Sequence, residues 1–438
     1  MTLVVRIPSS HEAERRYSVD VLLGEFLGLD YTIEVGGEDY RIELGARRLV
    51  IRDHFFARVG ASYLDARNLP VAVERTHPCV AGETIVVLYG DDELVLDGSE
   101  LRCGIDVFAS TFFMLARWEE AVATARDPHG RCLARDAIAA RWLDRCIVNE
   151  WTELLWTLLQ RLGCTQPRRA HAFSVIASHD IDYPRHWTLR TGVVTWAGDL
   201  LKRRSPLRAA RTVRDFLAAR TGLGRDPYDT FDWLMDRSDE EGITSNFNFM
   251  TGRWSEHDPP FDFDPRALAR LLERVARRGH GIGFHPSYNA YNDPTLWRLE
   301  YDRLARLSPQ PVVGGREHYL RFAVPETWRI WNANGMEWDS TLGYADREGF
   351  RCGTCYAFPV FDVGARKPLR LRERPLVAMD ATLVGYRKLD QEAAAASLAG
   401  LRAECKKYGG TFMLLWHNSN LDGTWLPYRD VYRDALRA

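Results

Sequence analysis

The stretch Ser174-Val175-Ile176-Ala177-Ser178-His179-Asp180-Ile181-Asp182-Tyr183-Pro184 decides how this chain is read. An apolar run of strand character ends in two carboxylates one residue apart. In an extended segment residues i and i+2 share a face, so Asp180 and Asp182 address one spot at the end of a buried strand. Two like charges that close are unfavourable unless a cation or a shared proton relieves them. Pro184 has no N–H for a strand ladder and ends the run.

Working outward, the segment after this strand alternates strand and helix. Asp229-Thr230 opens a helix through Phe231, Leu234 and Met235 that ends near Gly242. A strand follows over Ile243 to Met250. Asp264-Pro265 starts the next helix, with Asp as cap and Pro at the first position, and Gly279 ends it. Gly281 to Phe284 is a short strand. A helix runs from Asp390 to Gly409-Gly410, and Thr411 to Trp416 is a buried strand. Such alternation predicts a parallel α/β architecture, and its length of about 270 residues favours a (β/α) barrel. The stretch 186–226 is basic and poorly periodic, and is expected to be an excursion over the barrel mouth.

Residues 1–165 read differently, as an α+β domain. Tyr31/Ile33/Val35 and Tyr40/Ile42/Leu44 alternate around Gly36-Gly37, the pattern of a hairpin. Ile85–Tyr89 and Leu94–Leu96 suggest a second strand pair around Asp91-Asp92. Helices are expected after Asp106 and from Asn149 to Gly163. Thr165-Gln166-Pro167-Arg168-Arg169 is polar and helix-breaking, a boundary before a second domain over 170–438.

Composition narrows the function classes. The chain has 438 residues, 46% hydrophobic and 27% charged, with a formal net charge of −2. That charge creates no field favouring nucleic acid. No run approaches ~18 apolar residues, so no integral membrane segment is expected. The start Met1-Thr2-Leu3-Val4-Val5-Arg6-Ile7-Pro8 lacks the basic and apolar regions of a signal peptide, so a cytoplasmic protein is expected. Eight scattered cysteines do not form a disulfide framework. Cys352-Gly-Thr-Cys355 alone has ligand-like spacing, without the second pair that a structural zinc needs.

Chemistry-bearing residues recur after the apolar strands: Asp180 and Asp182, then His285, then Arg316-Glu317-His318-Tyr319, and finally His417. In a barrel these strand ends converge on one face. Core packing does not account for polar residues at four such places.

With these motifs the chain resembles the polysaccharide deacetylases, the family-four carbohydrate esterases that include chitin-oligosaccharide and peptidoglycan deacetylases. The resemblance covers 172–420 and implies a distorted (β/α) barrel and a divalent metal, zinc or alternatively Co, Ni, Mn or Fe. The family's T-F-D-D is replaced by Ser178-His179-Asp180-Ile181-Asp182, similar to members with a spaced D-x-D. It implies Asp180 as base and Asp182 as metal ligand. The family's G-H-E-I-G-x-H-[ST]-x-x-H is similar to the run from Gly279-His280 to Asn289, which implies His285 as ligand and His280 as none. Asn289 stands where the second ligand His belongs, and is assigned as substrate contact or alternative ligand. Gly315-Arg316-Glu317-His318-Tyr319 resembles F-R-x-P-Y with His318 in place of Pro, and His318 is expected to supply the third ligand. Asp339 falls in a fourth, weaker match, and Leu415-Trp416-His417 matches the last motif. The N-terminal segment resembles the accessory domain found ahead of such barrels in a bacterial subgroup.

The implied reaction is hydrolysis of an N-acyl group from an amino sugar, expected to be N-acetyl on a nucleotide- or lipid-linked precursor of surface polysaccharide. Asp180 takes a proton from water, kept ionised by Arg316. His417 protonates the leaving amine, held in its charged form by Asp339. Two alternatives stand beside it: hydrolysis of another C–N bond such as a cyclic ureide, and a carbohydrate-binding pseudoenzyme suggested by Asn289. Protein partners are not indicated.

Overall fold

The computed structural model describes residues 2–60, 63–76, 84–96, 98–259 and 264–437. It is a mixed α/β structure with parallel strands. Contacts group the chain into two compact units that are discontinuous in sequence. The first holds Met1–Ser174, Tyr319–Ala378 and Ala399–Met413; the second holds Val175–His318, Met379–Leu398 and Leu414–Ala438.

Within the first unit, a six-stranded sheet runs in the order Tyr31–Val35, Leu3–Ile7, Tyr40–Leu44, Arg47–Ile51, Glu100–Ile105, Gly90–Val95. Both expected strand pairs are corrected. Leu3–Ile7, whose Leu3, Val5 and Ile7 are buried, inserts between the two strands around Gly36-Gly37. Tyr31–Val35 is left as an edge strand with mostly exposed side chains. Thr84–Val87 pairs instead with Val73–Thr76, and Gly90–Val95 with Glu100–Ile105. The long helix begins at Ile147 and ends at Gly163, whose φ of 101° is the left-handed cap conformation.

A buried ionic cluster explains why 319–378 joins this unit. Glu120 accepts from Arg117 at 2.8 Å and from Arg351 Nη2 at 2.6 Å, and all three side chains are buried. Paired in this way, the charges tolerate a site that would exclude any one of them alone. The described cysteines are free thiols. Cys355 hydrogen-bonds with Cys146 and Cys405 rather than pairing with Cys352. Cys79 lies outside the described residues.

The second unit carries the site. We label its strands β1 (Ser174–Ile181), β2 (Asn246–Phe249), β3 (Gly281–Phe284), β4 (Gly314–Gly315) and β5 (Thr411–Leu415), the first residue of β1 and the first three of β5 counting with the other unit. β1 to β4 are adjacent and parallel, so their C-terminal ends open in one direction. Trp416 N donates to Ser178 O at 2.9 Å, bringing the end of β5 to the same place.

Its helices are α1 (Leu189–Leu201), α2 (Pro206–Thr221), α3 (Phe231–Glu240), α4 (Pro265–Arg277) and α5 (Pro294–Leu307). Asp264 caps α4 by accepting from Arg266 N and Ala267 N at 3.0 and 3.1 Å, and Asp293 caps α5 in the same way. Leu272 and Val275 of α4 are buried, as are Trp297 and Leu304 of α5. The segment 186–226, unassigned by periodicity, folds as the helical pair α1–α2.

Candidate functional site

β1 runs on to Ile181, so Asp180 lies within it and Asp182 just after it. Asp180 and Asn248 are register partners, as are Asn248 and Gly283. Asn248 Nδ2 donates to Asp180 Oδ1 at 2.7 Å. This crowding explains Gly283: a Cβ there would sit 2.0 Å from Asn248 Oδ1.

Arg316, fully buried, donates from Nη1 to Asp180 Oδ1 at 3.1 Å and to Ser178 Oγ at 3.0 Å. Burial opposes ionisation of Asp180, but the Arg316 guanidinium and then the His285 ring hold its carboxyl below the usual range. Arg316 and Asn248 both bind Oδ1. A carboxylate held by one oxygen and kept charged can accept a proton.

Asp182, His285 and His318 bring one ligand atom each within 4.8 Å of one another. Asp182 Oδ1 lies 3.1 Å from His285 Nε2 and 3.3 Å from His318 Nδ1, and the two ring nitrogens are 3.1 Å apart. The opposite nitrogens set the tautomers. His285 Nδ1 is 2.7 Å from Arg316 O, and His318 Nε2 is 3.3 Å from His257 O. A carbonyl only accepts, so each of those nitrogens donates. In the neutral rings, His285 Nε2 and His318 Nδ1 then turn lone pairs toward each other and toward a carboxylate oxygen, a convergence that a bound cation or a shared proton relieves.

The electrostatics agree. Burial pulls the His285 pKa down, but the Asp180 and Asp182 carboxylates raise it above the usual imidazole value. Burial likewise opposes Asp182 ionisation, yet His318 and His285 hold it well below the carboxylate range. A field that attracts a proton here attracts a divalent cation as well, and backbone carbonyls behind both rings are the usual support of metal-ligating His. One carboxylate and two imidazoles suit a zinc-like ion with an open position. The residues present therefore fit a divalent metal.

His417 follows the end of β5. Its Nδ1 is 2.8 Å from Asp380 Oδ1, its backbone N donates to Asp380 Oδ2 at 2.8 Å, and its Nε2 lies 3.7 Å from Asp182 Oδ2. Burial would lower its pKa, but the Asp380 charge and hydrogen bond push it up to about 10. A protonated imidazole beside the Asp182 carboxylate can donate a proton.

The structure corrects the partner assigned to His417. Asp380 holds the ring, whereas the Asp339 carboxylate accepts from Thr341 Oγ1 at 2.6 Å and from Thr341 N at 3.2 Å. Burial, and then the charge of the adjacent Asp339, raise the Glu373 carboxyl above its usual value. Asn289 is exposed, at the start of the single turn Ala290–Asn292, while His285 and His318 are buried. His280 accepts at Nδ1 from Ser245 N, in keeping with a structural role.

Three residues at the site were not foreseen, the first two being Asn248 and Asp380. Asn248 had a signal: Asn246-Phe247-Asn248-Phe249 alternates, with the fully buried Asn248 on the polar face. A third, Glu300 on α5, is buried and accepts from Ser287 N and Oγ at 2.8 and 2.6 Å, steadying the loop after His285.

A family of unknown function, DUF7033, matches residues 3–163, a segment that holds none of these side chains. No curated protein sequence matches the chain. Among solved structures the chain is similar to a protein assigned as a polysaccharide deacetylase from Mycobacterium smegmatis, at 15% identity and a TM-score of 0.38, covering 62% of this chain and 85% of that one. It is also similar to one assigned likewise from Pseudomonas aeruginosa PAO1, at 11% identity and 0.35, covering 60% and 83%.

Proposed function

We propose that the protein is a metal-dependent hydrolase that removes an N-acyl group, acetyl in the first instance, from an amino sugar. The observation that carries the reading is the convergence of Asp182, His285 and His318 between two oriented groups, Asp180 with Arg316 and His417 with Asp380. Amide hydrolysis needs an acceptor for a water proton and a donor for the leaving nitrogen, and these pairs supply one of each.

In this reading Asp182, His285 and His318 hold a divalent ion, with zinc the first candidate. When bound, such an ion polarises the acyl oxygen and lowers the pKa of water. Asp180 takes the proton, with Arg316 and Asn248 fixing its Oδ1. His417 delivers a proton to the amine nitrogen while Asp380 holds its Nδ1. The deacetylase type of barrel, the domain division near 165–170, a cytoplasmic location and a nucleotide- or lipid-linked sugar belong to the same reading and rest on the sequence.

The test is acetate release from N-acetylated sugars and sugar nucleotides by the full chain, with metal removed and restored. Metal-dependent release that is lost in Asp180→Asn supports the reading. A metal-loaded protein that releases no acyl group from any of them refutes it.

A further inference from the structure

The pair α1–α2 is unlike the rest of the surface. Eighteen large hydrophobic side chains are exposed among the described residues, and nine lie between Leu189 and Leu223. Leu201, Leu207 and Leu223 are 78%, 65% and 88% exposed. On α1, Leu189, Val193 and Trp196 recur at i, i+4 and i+7, one helical face. The surfaces that pack are small: a Cβ on Gly192 would meet Phe216 at 2.9 Å, and Thr212 Oγ1 donates to Asp199 at 2.7 Å. The remaining apolar side chains have no core to enter.

The charge on this hairpin is equally one-sided. Residues 189–225 hold nine basic side chains and two acidic ones, Asp199 and Asp215, a formal +7 in a chain whose total is −2. Both acids are already paired, with Arg203 at 2.7 Å and with Arg214 at 2.7 Å. Arg190, Lys202, Arg204 and Arg211 form no ion pair among the described residues, and Arg208 shares Asp199 with Arg203 through charge attraction alone. Beside the hairpin, the wall of a cavity of about 790 Å³ carries Arg185, Arg270, Arg274 and Arg277 with the hairpin's own Arg220 and Arg225, against Asp226, Asp229 and Asp264.

We infer that the α1–α2 hairpin seats on an anionic lipid bilayer, with its leucines, valines and Trp196 in the headgroup boundary and its arginines on the lipid phosphates. Exposed Leu and Trp interleaved with Arg is the pattern of a helix lying in the interface plane, and basic residues there gain from a negative leaflet. Helices of 13 and 16 residues are too short to span a bilayer. A second copy docking the same face would bring +7 against +7, so charge favours the lipid. The inference does not depend on the chemistry assigned to the site.

The test uses the full chain in co-sedimentation with vesicles of phosphatidylcholine alone and of equal parts phosphatidylcholine and phosphatidylglycerol. Binding to the anionic vesicles should be at least about tenfold tighter and should weaken with added salt. The triple variant Val193→Ser/Trp196→Ser/Leu201→Ser and the charge variant Arg208→Glu/Arg211→Glu should each lose about tenfold or more, with circular dichroism unchanged because all five side chains are exposed. No binding to anionic vesicles, or equal binding by both variants, overturns the inference. A dimer abolished by the triple variant, without lipid binding, also overturns it and makes the face an interface between copies.

Discussion

Replacing His318 with Ala should remove the metal while leaving the fold. The side chain is 5% exposed, and its Nδ1 is 3.1 Å from His285 Nε2 and 3.3 Å from Asp182 Oδ1. Changing a group behind a ligand typically weakens metal binding about 10–100-fold, so losing the ligand itself should cost more than about 100-fold, roughly 3 kcal/mol or more. The same number is read in stability, because an ion that binds only the native state stabilises by RT ln(1 + [M]/Kd). At a concentration about 1,000 times the wild-type Kd, the wild type gains about 4 kcal/mol and the variant less than about 1.5 kcal/mol. Without metal, the variant also loses a crowded set of lone pairs, so its metal-free Tm should stay near that of the metal-free wild type. The assay is metal stoichiometry after dialysis, with chemical denaturation in the presence and absence of the ion. Asn289→Ala is the control, since that side chain is exposed, and its metal content should not change. Full stoichiometry in His318→Ala, or metal loss confined to Asn289→Ala, would refute the three-residue site.

Asp380→Asn should lower turnover about 100-fold or more with metal retained, because the positioned proton donor is lost; an equal loss in Asp339→Asn alone would reverse that assignment. Gly283→Ala should displace Asn248 from Asp180 and cut turnover, and adding Asn248→Ala should restore stability but not activity, as seen by denaturation and kinetics. Glu120→Ala leaves the buried Arg351 without its carboxylate, while Arg117 keeps Glu119 at 2.8 Å, and should cost about 3–5 kcal/mol in urea unfolding; a loss under ~1 kcal/mol would contradict the burial of that cluster. His179 is fully buried and donates from Nδ1 to Trp416 O, and burial lowers its pKa to about 4. It stays neutral in the fold while the unfolded chain takes up a proton below about pH 6.5. Stability should therefore fall by about 3 kcal/mol from pH 6.5 to 4 on its account, and His179→Asn should show a flatter dependence; identical profiles would remove His179 as the cause.

How much of this was legible follows from where each signal sits. β3 was placed to the residue because Gly279 ends one element and His285 begins the next functional one. Asp182, His285 and His318 stood out because each follows an apolar run, and the motif resemblance gave them their expected role as ligands. In the first unit four strands were readable, but not Leu3–Ile7, Arg47–Ile51, Val73–Thr76 or Glu100–Ile105, and so not the pairing. Alternation shows which residues face the core and carries no information about which strand lies alongside. Leu3–Ile7 therefore took the central place that a local turn reserved for Tyr31–Val35. In α1–α2 the periodic signal failed because the helices bury little, so their apolar residues are not confined to a core-facing stripe.

Asp380 shows the limit most sharply. It follows the two-residue strand Ala378–Met379 and caps the turn Ala381–Tyr386, donating nothing and accepting from Ala381 N at 2.7 Å. In sequence it is an ordinary capping aspartate, 37 residues before His417. Asp339 falls in the weaker match to the fourth motif of the resemblance, and so attracted the role. What separates them is the second oxygen. Asp380 Oδ2 takes the His417 backbone N–H and the Asn420 side chain at 2.8 and 2.9 Å, while Oδ1 takes the ring. A carboxylate that binds both backbone and imidazole of one residue fixes the ring's tautomer and its direction together. That double hold, and not proximity in sequence, makes Asp380 the positioning residue. It predicts that Asn420→Ala, which removes only one of the four hydrogen bonds to Asp380, lowers turnover far less than Asp380→Asn. Equal losses in the two variants would mean that Asp380 acts through the turn and not through the imidazole.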